Sequence, residues 1–478
     1  MSLIDKTASG VKWSSISQIG RQLMQLVTTL ILTRLLSPSD FGLVGMAMVV
    51  TGFIALFHDL GTSSSVIQKK VTSEVFLSSI FWVNAAFGLS AMVIILLFAP
   101  LAANLYHEPR VSLILKLLSL SFLISGLSIV QQAILERELA FKKLAKVEMV
   151  ASVSSSLVCI GAALLGAEVW SLVYQTLMFV TVTTVLLWTS SDWRPKAVFH
   201  WGEVRSVRSY SLNLTGFYIF NYFARNADYI LIGRFLGAQN LGYYMMAYRI
   251  MFYPIQTISA VMGRVMFPVY SQIQEDEVRF RRIYLKVIGA IGLITFPMMM
   301  GVWGLAQTFV LTLFGSQWKP VILLLMILAP VGLIQSIVTT VGTIYQAKGR
   351  TDWMFRLGVA TGLIAVLAFV IGLQWGIVGV AGAYTIATIL CLYPNFIVPF
   401  KLINLKMQDL GDTLWRPFLG SLMMLGGILG LKYAFPPGLT SGQILCILVP
   451  VGIIIYLAAS WWMNREQAEE FLHVAGIH

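Results

Sequence analysis

The segment Leu32-Thr33-Arg34-Leu35-Leu36-Ser37-Pro38-Ser39-Asp40-Phe41-Gly42 has a counterpart two hundred residues on, Ile232-Gly233-Arg234-Phe235-Leu236-Gly237-Ala238-Gln239-Asn240-Leu241-Gly242. Arg34 aligns with Arg234, Leu36 with Leu236 and Gly42 with Gly242, without a gap. Each copy closes one long apolar stretch and opens the next. That marks an internal duplication, which settles the architecture before any single element is considered. In the first copy Ser37 is placed to cap the following helix, Pro38 suits its first turn, and Asp40 sits where a capping box takes an acid. Capping has no use for the arginine. Arg34 and Arg234 are therefore read separately, either as gate residues at a pore mouth or as interfacial anchors.

The surrounding chain says what is duplicated. Of 478 residues, 58% are hydrophobic and 11% charged, where soluble domains carry about 25% charged residues. Apolar runs of bilayer-spanning length recur near 13–36, 42–66, 77–103, 111–135, 147–166, 168–189, 207–236, 243–270, 285–314, 320–346, 354–374, 376–400, 414–434 and 441–463. The expected fold is an all-α polytopic membrane protein of about fourteen transmembrane helices. Six spans separate the two motif copies, so both cross in the same direction and the halves form a parallel repeat. The expected layout is an N-lobe at 1–190, an interfacial linker at 191–206, a C-lobe at 207–400, two appended spans at 401–463 and a tail at 464–478.

The net charge of +12 invites a nucleic-acid reading that its distribution rejects. With the N-terminus inside, 23 Lys and Arg fall at inner loops and tails and six at outer ones. That asymmetry is the positive-inside rule, and it places both termini in the cytoplasm. The first apolar run exceeds signal-peptide length and is half of the repeat. Cys159, Cys391 and Cys446 stand singly inside spans, which suggests packing rather than a disulfide or metal framework. No cofactor motif is present.

Four arginines fall within spans: Arg21, Arg225, Arg249 and Arg264. Span one carries a polar stripe, Ser14, Gln18, Arg21, Gln25 and Thr28, whose steps of four and three keep it on one helical face. Span seven repeats it with Tyr218, Asn221, Arg225 and Asp228, and span eight aligns Arg249, Tyr253 and Gln256. At 1.5 Å per residue Arg225 lies roughly 16 Å below the outer end of its span, near midplane. A buried arginine there costs about 2.5 kcal/mol or more unless it meets a partner, a cavity or water. Arg225 and Asp228 are three apart and suited to neutralise each other, with an arginine of span eight as the alternative partner for Asp228. Against four arginines, however, the acids are Asp228 and, near a span end, Asp59, both candidates for carrying a coupling proton. The surplus is positive, and arginine forks match phosphate oxygens. The stripes point to an anionic substrate, with Tyr218, Asn221, Tyr253 and Gln256 available to sugar hydroxyls and Arg34, Arg234 and Arg264 in secondary positions.

Lys12-Trp13-Ser14, Leu32-Thr33-Arg34 with Phe41-Gly42, Asp59-Leu60-Gly61, and Ala247-Tyr248-Arg249 with Phe267-Pro268 resemble the polysaccharide-transporter branch of the MOP flippase superfamily, of the Wzx-like, colanic- and teichuronic-acid exporter type. The resemblance covers about residues 5–460. It implies a V of two six-helix lobes around a cationic cavity, to which Arg21, Arg34, Arg225 and Arg249 correspond as kinds of residue. It further implies a transporter, not an enzyme, that flips undecaprenyl-pyrophosphate-linked oligosaccharide units across the cell's inner membrane. Its implied partners are that anionic lipid-linked glycan, membrane lipids and polysaccharide polymerase machinery.

Two rivals are weaker. A cation-coupled multidrug antiporter of the same superfamily needs acids in its cavity, where this chain has a surplus of bases. A membrane glycosyltransferase or polymerase needs a sizeable outer loop or an acidic loop motif, and this chain has neither.

Overall fold

A computed structural model describes residues 3–57, 62–68, 73–202, 212–435 and 439–463. Every regular element among them is a helix, as expected where lipid cannot satisfy exposed backbone groups. In order these are α1 (Leu3–Leu35), α2 (Pro38–Ala55), α3 (Thr62–Gln68), α4 (Glu74–Tyr106), α5 (Pro109–Gly126), α6 (Ile129–Arg137), α7 (Phe141–Leu164) and α8 (Trp170–Ser190). There follow α9 (Leu212–Gln272), α10 (Glu277–Leu313), α11 (Lys319–Val338), α12 (Val341–Ala347), α13 (Thr351–Gly372), α14 (Gly376–Phe400), α15 (Met407–Ala434) and α16 (Ser441–Met463).

Ten stretches are long and apolar enough to cross a membrane. One of them, Thr351–Phe400, is two helices joined by a short turn at Leu373–Trp375. The stripe-bearing α1 and α9 fall outside that group, and α9 is two helices merged across a break at Gly237. Counting these brings the spans to the expected fourteen or thereabouts. His58, Asp59, Leu60 and Gly61 lie outside the described residues.

The motif folds as its composition requires. Ser37 is extended at the head of α2; Asp40 N donates to Ser37 Oγ at 3.3 Å, and Ser37 N donates to the Asp40 carboxylate at 2.9 Å. This reciprocal capping box satisfies two amides that a helix start leaves orphaned, and such a cap contributes about 1 kcal/mol. The second copy breaks its helix at the aligned position by other means. Gly237 takes φ 83, ψ 174, a conformation that glycine adopts without strain.

The repeat extends through the helix breaks. Span four is α5 and α6, interrupted at Leu127–Ser128, and span ten is α11 and α12, interrupted at Thr339–Thr340. Both open with proline in the first turn, and before each the chain turns through a left-handed residue, His107 (φ 54) or Gly315 (φ 101). Side chains cover the carbonyls near the first break: Trp188 Nε1 donates to Leu127 O at 2.8 Å and Thr184 to Ile124 O at 3.2 Å. In the second half Thr385 donates to Ile327 O at 2.9 Å, and Thr340 Oγ1, paired with Tyr284, donates to Ile337 O at 2.6 Å.

The chain forms two compact units, Met1–Gly242 and Tyr243–His478. In the first, α4 packs on α5, α5 on α8, α7 on α8 and α1 on α7; in the second, α10 packs on α11, α11 on α14 and α13 on α14. The appended α15 and α16 pack on each other and on α10 around Leu293, Leu305, Met424, Ile428 and Leu448, with the Tyr456 hydroxyl donating to Leu293 O at 2.8 Å. Residues 191–200 form an extended strap along α4. Lys196 N donates to Ser78 Oγ at 3.1 Å, His200 N to Ser79 Oγ at 2.9 Å, and Trp82 Nε1 to Lys196 O at 2.9 Å.

Candidate functional site

Three helix faces carry the expected polar residues, two of them in the first unit. On α1, Ser14, Arg21 and Gln25 are exposed and Gln18 is half-buried, while Thr28 is turned into the packing. The neighbouring face of α1 meets α7: buried Ser17 donates to the Glu148 carboxylate at 2.6 Å. Glu148 was passed over in the sequence because it follows a run of three lysines, Lys142, Lys143 and Lys146, and looks like the end of a basic loop. It belongs instead to the α1–α7 contact.

On the first segment of α9, Arg225 is exposed, Asn221 half-buried and Asp228 only 3% exposed. The Asp228 carboxylate accepts from Tyr229 N at 2.8 Å. The pairing of Arg225 with Asp228 that their spacing allows does not form. Among the described residues neither Arg21 nor Arg225 has a hydrogen bond or ion pair. Tyr222, one position along from Asn221, does what the stripe did not foretell. Its hydroxyl donates to Val49 O at 2.7 Å, and its ring lies against Phe53, which also meets Phe223. Gly52 makes room for it, since a Cβ there would stand 2.5 Å from the tyrosine oxygen.

The two motif copies meet in this same unit. A Cβ on Gly42 would lie 1.7 Å from Ala238 O, and a Cβ on Gly242 would lie 1.9 Å from Pro38 O. The glycines therefore allow backbone to rest directly on backbone. One turn away, Gly233 lies over the Tyr106 ring, which a Cβ would approach to 2.8 Å, and Arg234 faces His107, with Nη1 2.9 Å from Nε2. Arg34 is exposed at the end of α1. Neither His107 nor Tyr106 carried a sequence signal, because each acts only through a partner more than a hundred residues away.

In the second unit Arg249 and Tyr253 are exposed on one face of α9, and both make further contacts. Gln256 and Arg264 lie on the same helix, but their side chains, like that of Tyr218, are outside the described ones. The described charges on these faces that remain exposed are guanidinium groups, suited to bidentate capture of phosphate or carboxylate oxygens.

This fold, helices in a parallel repeat with arginines on mid-span polar faces, defines a class of multi-helix membrane transporters. Its likeness among solved structures is to the lipid II flippase MurJ in an inward closed conformation (TM-score 0.75, 17% identity, covering 95% of this chain and 98% of that one). An inward-facing multidrug MATE transporter of the MOP superfamily also matches (TM-score 0.63, 18% identity, 80% and 94%). Residues 31–323 match the family described as polysaccharide biosynthesis protein, and the chain belongs to that family. It is 28% identical over 433 residues to the lipopolysaccharide biosynthesis protein WzxC of Escherichia coli K12, covering 89% of this chain and 87% of that protein. It is 28% identical to the teichuronic acid biosynthesis protein TuaB of Bacillus subtilis 168 over 95% of each. Against the succinoglycan biosynthesis transport protein ExoT of Rhizobium meliloti 1021 it is 33% identical over 310 residues, 64% of this chain and 62% of that one.

Proposed function

We propose that this transporter flips lipid-linked oligosaccharide units, carried on undecaprenyl pyrophosphate, from the inner to the outer leaflet of the cell's inner membrane for surface-polysaccharide synthesis. The named functions of its relatives support this reading: a biosynthesis transport protein, ExoT, and a probable glycan biosynthesis flippase, Agl15 of Haloferax volcanii. The observation that carries it within this chain is the pair Arg21 and Arg225, two exposed guanidinium groups on mid-span polar faces without a partner among the described residues. Such groups are costly in a membrane unless they line water or receive an anion. The pyrophosphate supplies that anion, and Gln18, Gln25 and Asn221 offer hydrogen bonds to the sugars.

In this reading 1–190 and 207–400 are the two halves of the repeat, 191–206 the link between them and 401–463 two appended spans. Both termini face the cytoplasm, which puts Arg34 and Arg234 at the outer mouth. A polymerase acting on the released units is the natural downstream partner. A multidrug antiporter is disfavoured because Asp228, the acid on the span-seven stripe, is buried and already engaged.

Arg225→Ala tests the reading. Export of lipid-linked units should be lost while membrane abundance stays at the parental level, measured by polymer production and quantitative blotting. Undiminished export would remove Arg225 from the site.

A further inference from the structure

Among α1 to α8, the helix that α1 packs on principally is α7. Buried Ser17 bridges that contact, its Oγ donating to the Glu148 carboxylate at 2.6 Å, the short length typical of a charged acceptor. Beside it Gly20 lies against the Met149 methyl, 3.6 Å from the Cβ it lacks. Glu148 stands about 10 Å along α7 from its first residue, Phe141. A carboxylate inside a span calls for a partner, and its own helix offers it no base: the positions three and four away are Leu144, Ala145, Ala151 and Ser152. The preceding lysines are turned elsewhere. Lys142 Nζ lies over the Trp13 ring at 5.5 Å, Lys143 Nζ donates to Ser190 O at 3.2 Å, and Lys146, two residues from Glu148, is exposed on another side of α7. On α1 the residue one turn on from Ser17 is Arg21. Residues four apart on a helix have Cβ atoms about 5–6 Å apart, which puts a carboxylate seated at Ser17 within an arginine's reach. The pair nevertheless does not form. Arg21 is exposed and unpaired among the described residues, and Glu148 takes the hydroxyl instead.

We propose that Ser17 is a positioning residue that holds Glu148 away from Arg21 and so keeps the guanidinium free for an oxyanion such as a pyrophosphate. With the hydroxyl in place, the carboxylate is satisfied at the α1–α7 contact and the arginine fork stays on the polar stripe. Without it, Arg21 is the base within reach, and a carboxylate seated on the fork occupies the same paired N–H groups that a phosphate would use. Ser17 thus decides whether span one presents a cation or a neutral ion pair. The inference deepens the function proposed above and rests on Arg21 as an anion-binding group. Its test therefore reads the Arg21 side chain itself as well as export.

Ser17→Ala, Glu148→Gln and the double variant are compared as full-length protein in lipid nanodiscs. Phenylglyoxal, which modifies unpaired guanidinium groups, is followed at Arg21 by peptide mass spectrometry. Modification should slow roughly tenfold in Ser17→Ala, the factor that one hydrogen bond to a charged group commands. Glu148→Gln should react as the parent does. Ser17→Ala/Glu148→Gln should recover the parental rate, because an amide has no charge to pair with Arg21. Export, taken as polymer production normalised to membrane abundance, should follow the same order. Ser17→Thr keeps the hydroxyl and should match the parent. Ser17→Val has that shape without the hydroxyl; it should behave as Ser17→Ala and replaces it where the alanine variant accumulates poorly. Unchanged Arg21 reactivity in Ser17→Ala or Ser17→Val, or a loss that Glu148→Gln leaves uncorrected, overturns the proposal. Reactivity that follows Glu148 while export ignores it upholds the role of Ser17 and removes Arg21 from the transport site, so the two readings fail separately.

Discussion

Arg225 and Asp228 sit three residues apart on one helix, yet the fold treats them differently. The acid is buried and engaged, accepting from Tyr229 N among its contacts, and the base is left exposed. The stripes on spans one and seven were legible because helical periodicity puts polar residues on one face whatever the tertiary structure does. Which member of a stripe is bonded was not legible, since Ser17 finds Glu148 across 131 residues and Arg234 finds His107 across 127. Tyr222 was missed for the same reason, as nothing local distinguishes it from Tyr218 until Val49 is beside it. Arg249 offers a test at this scale. Lysine keeps the charge but loses the planar fork, forfeiting one of two parallel hydrogen bonds worth about 1.5 kcal/mol. Arg249→Lys should therefore retain export at about a tenth of the parental rate, measured by initial rates of lipid-linked glycan translocation. Full activity would reduce the residue to a point charge.

Among the helices, the breaks divide into those the sequence announces and those it does not. The Ser37-Pro38 cap and Gly237 carry turn chemistry in their residue types. The interruptions at Leu127–Ser128 and Thr339–Thr340 contain neither glycine nor proline and depend on Trp188, Thr184 and Tyr284 arriving from other helices. Long apolar runs therefore showed spans four and ten as continuous. Glycines give the sharpest contrast at this level. Gly42→Ala drives a methyl into Ala238 O and should destabilise the protein by about 1–3 kcal/mol, seen as a lower unfolding midpoint in detergent. Gly161, inside α7, has nothing within 4 Å of its missing Cβ. Gly161→Ala should be neutral or gain about 0.5–1 kcal/mol from helix propensity alone.

For the whole molecule, the parallel repeat was readable from one motif because six intervening spans fix the direction of both copies. The placement of α15 and α16 was not, since their apolar faces carry no address; the clustering of Leu293 with Met424 and Tyr456 supplies it. The first compact unit runs through Gly242 and so crosses the linker. Chains ending at residue 206 and starting at residue 207 should accordingly co-purify when expressed together, checked by pull-down from detergent extracts. The Gly42→Ala change should weaken that recovery. The contact responsible has a property its separate distances do not express. Gly42 meets the carbonyl of Ala238, the counterpart of Pro38, and Gly242 meets the carbonyl of Pro38 itself. Residue i touches the partner of j, and j touches the partner of i, which is the signature of an isologous interface about a two-fold axis. Within a single polypeptide that reciprocity means one pair of aligned positions serves twice, each motif copy being both the glycine and the carbonyl of the contact.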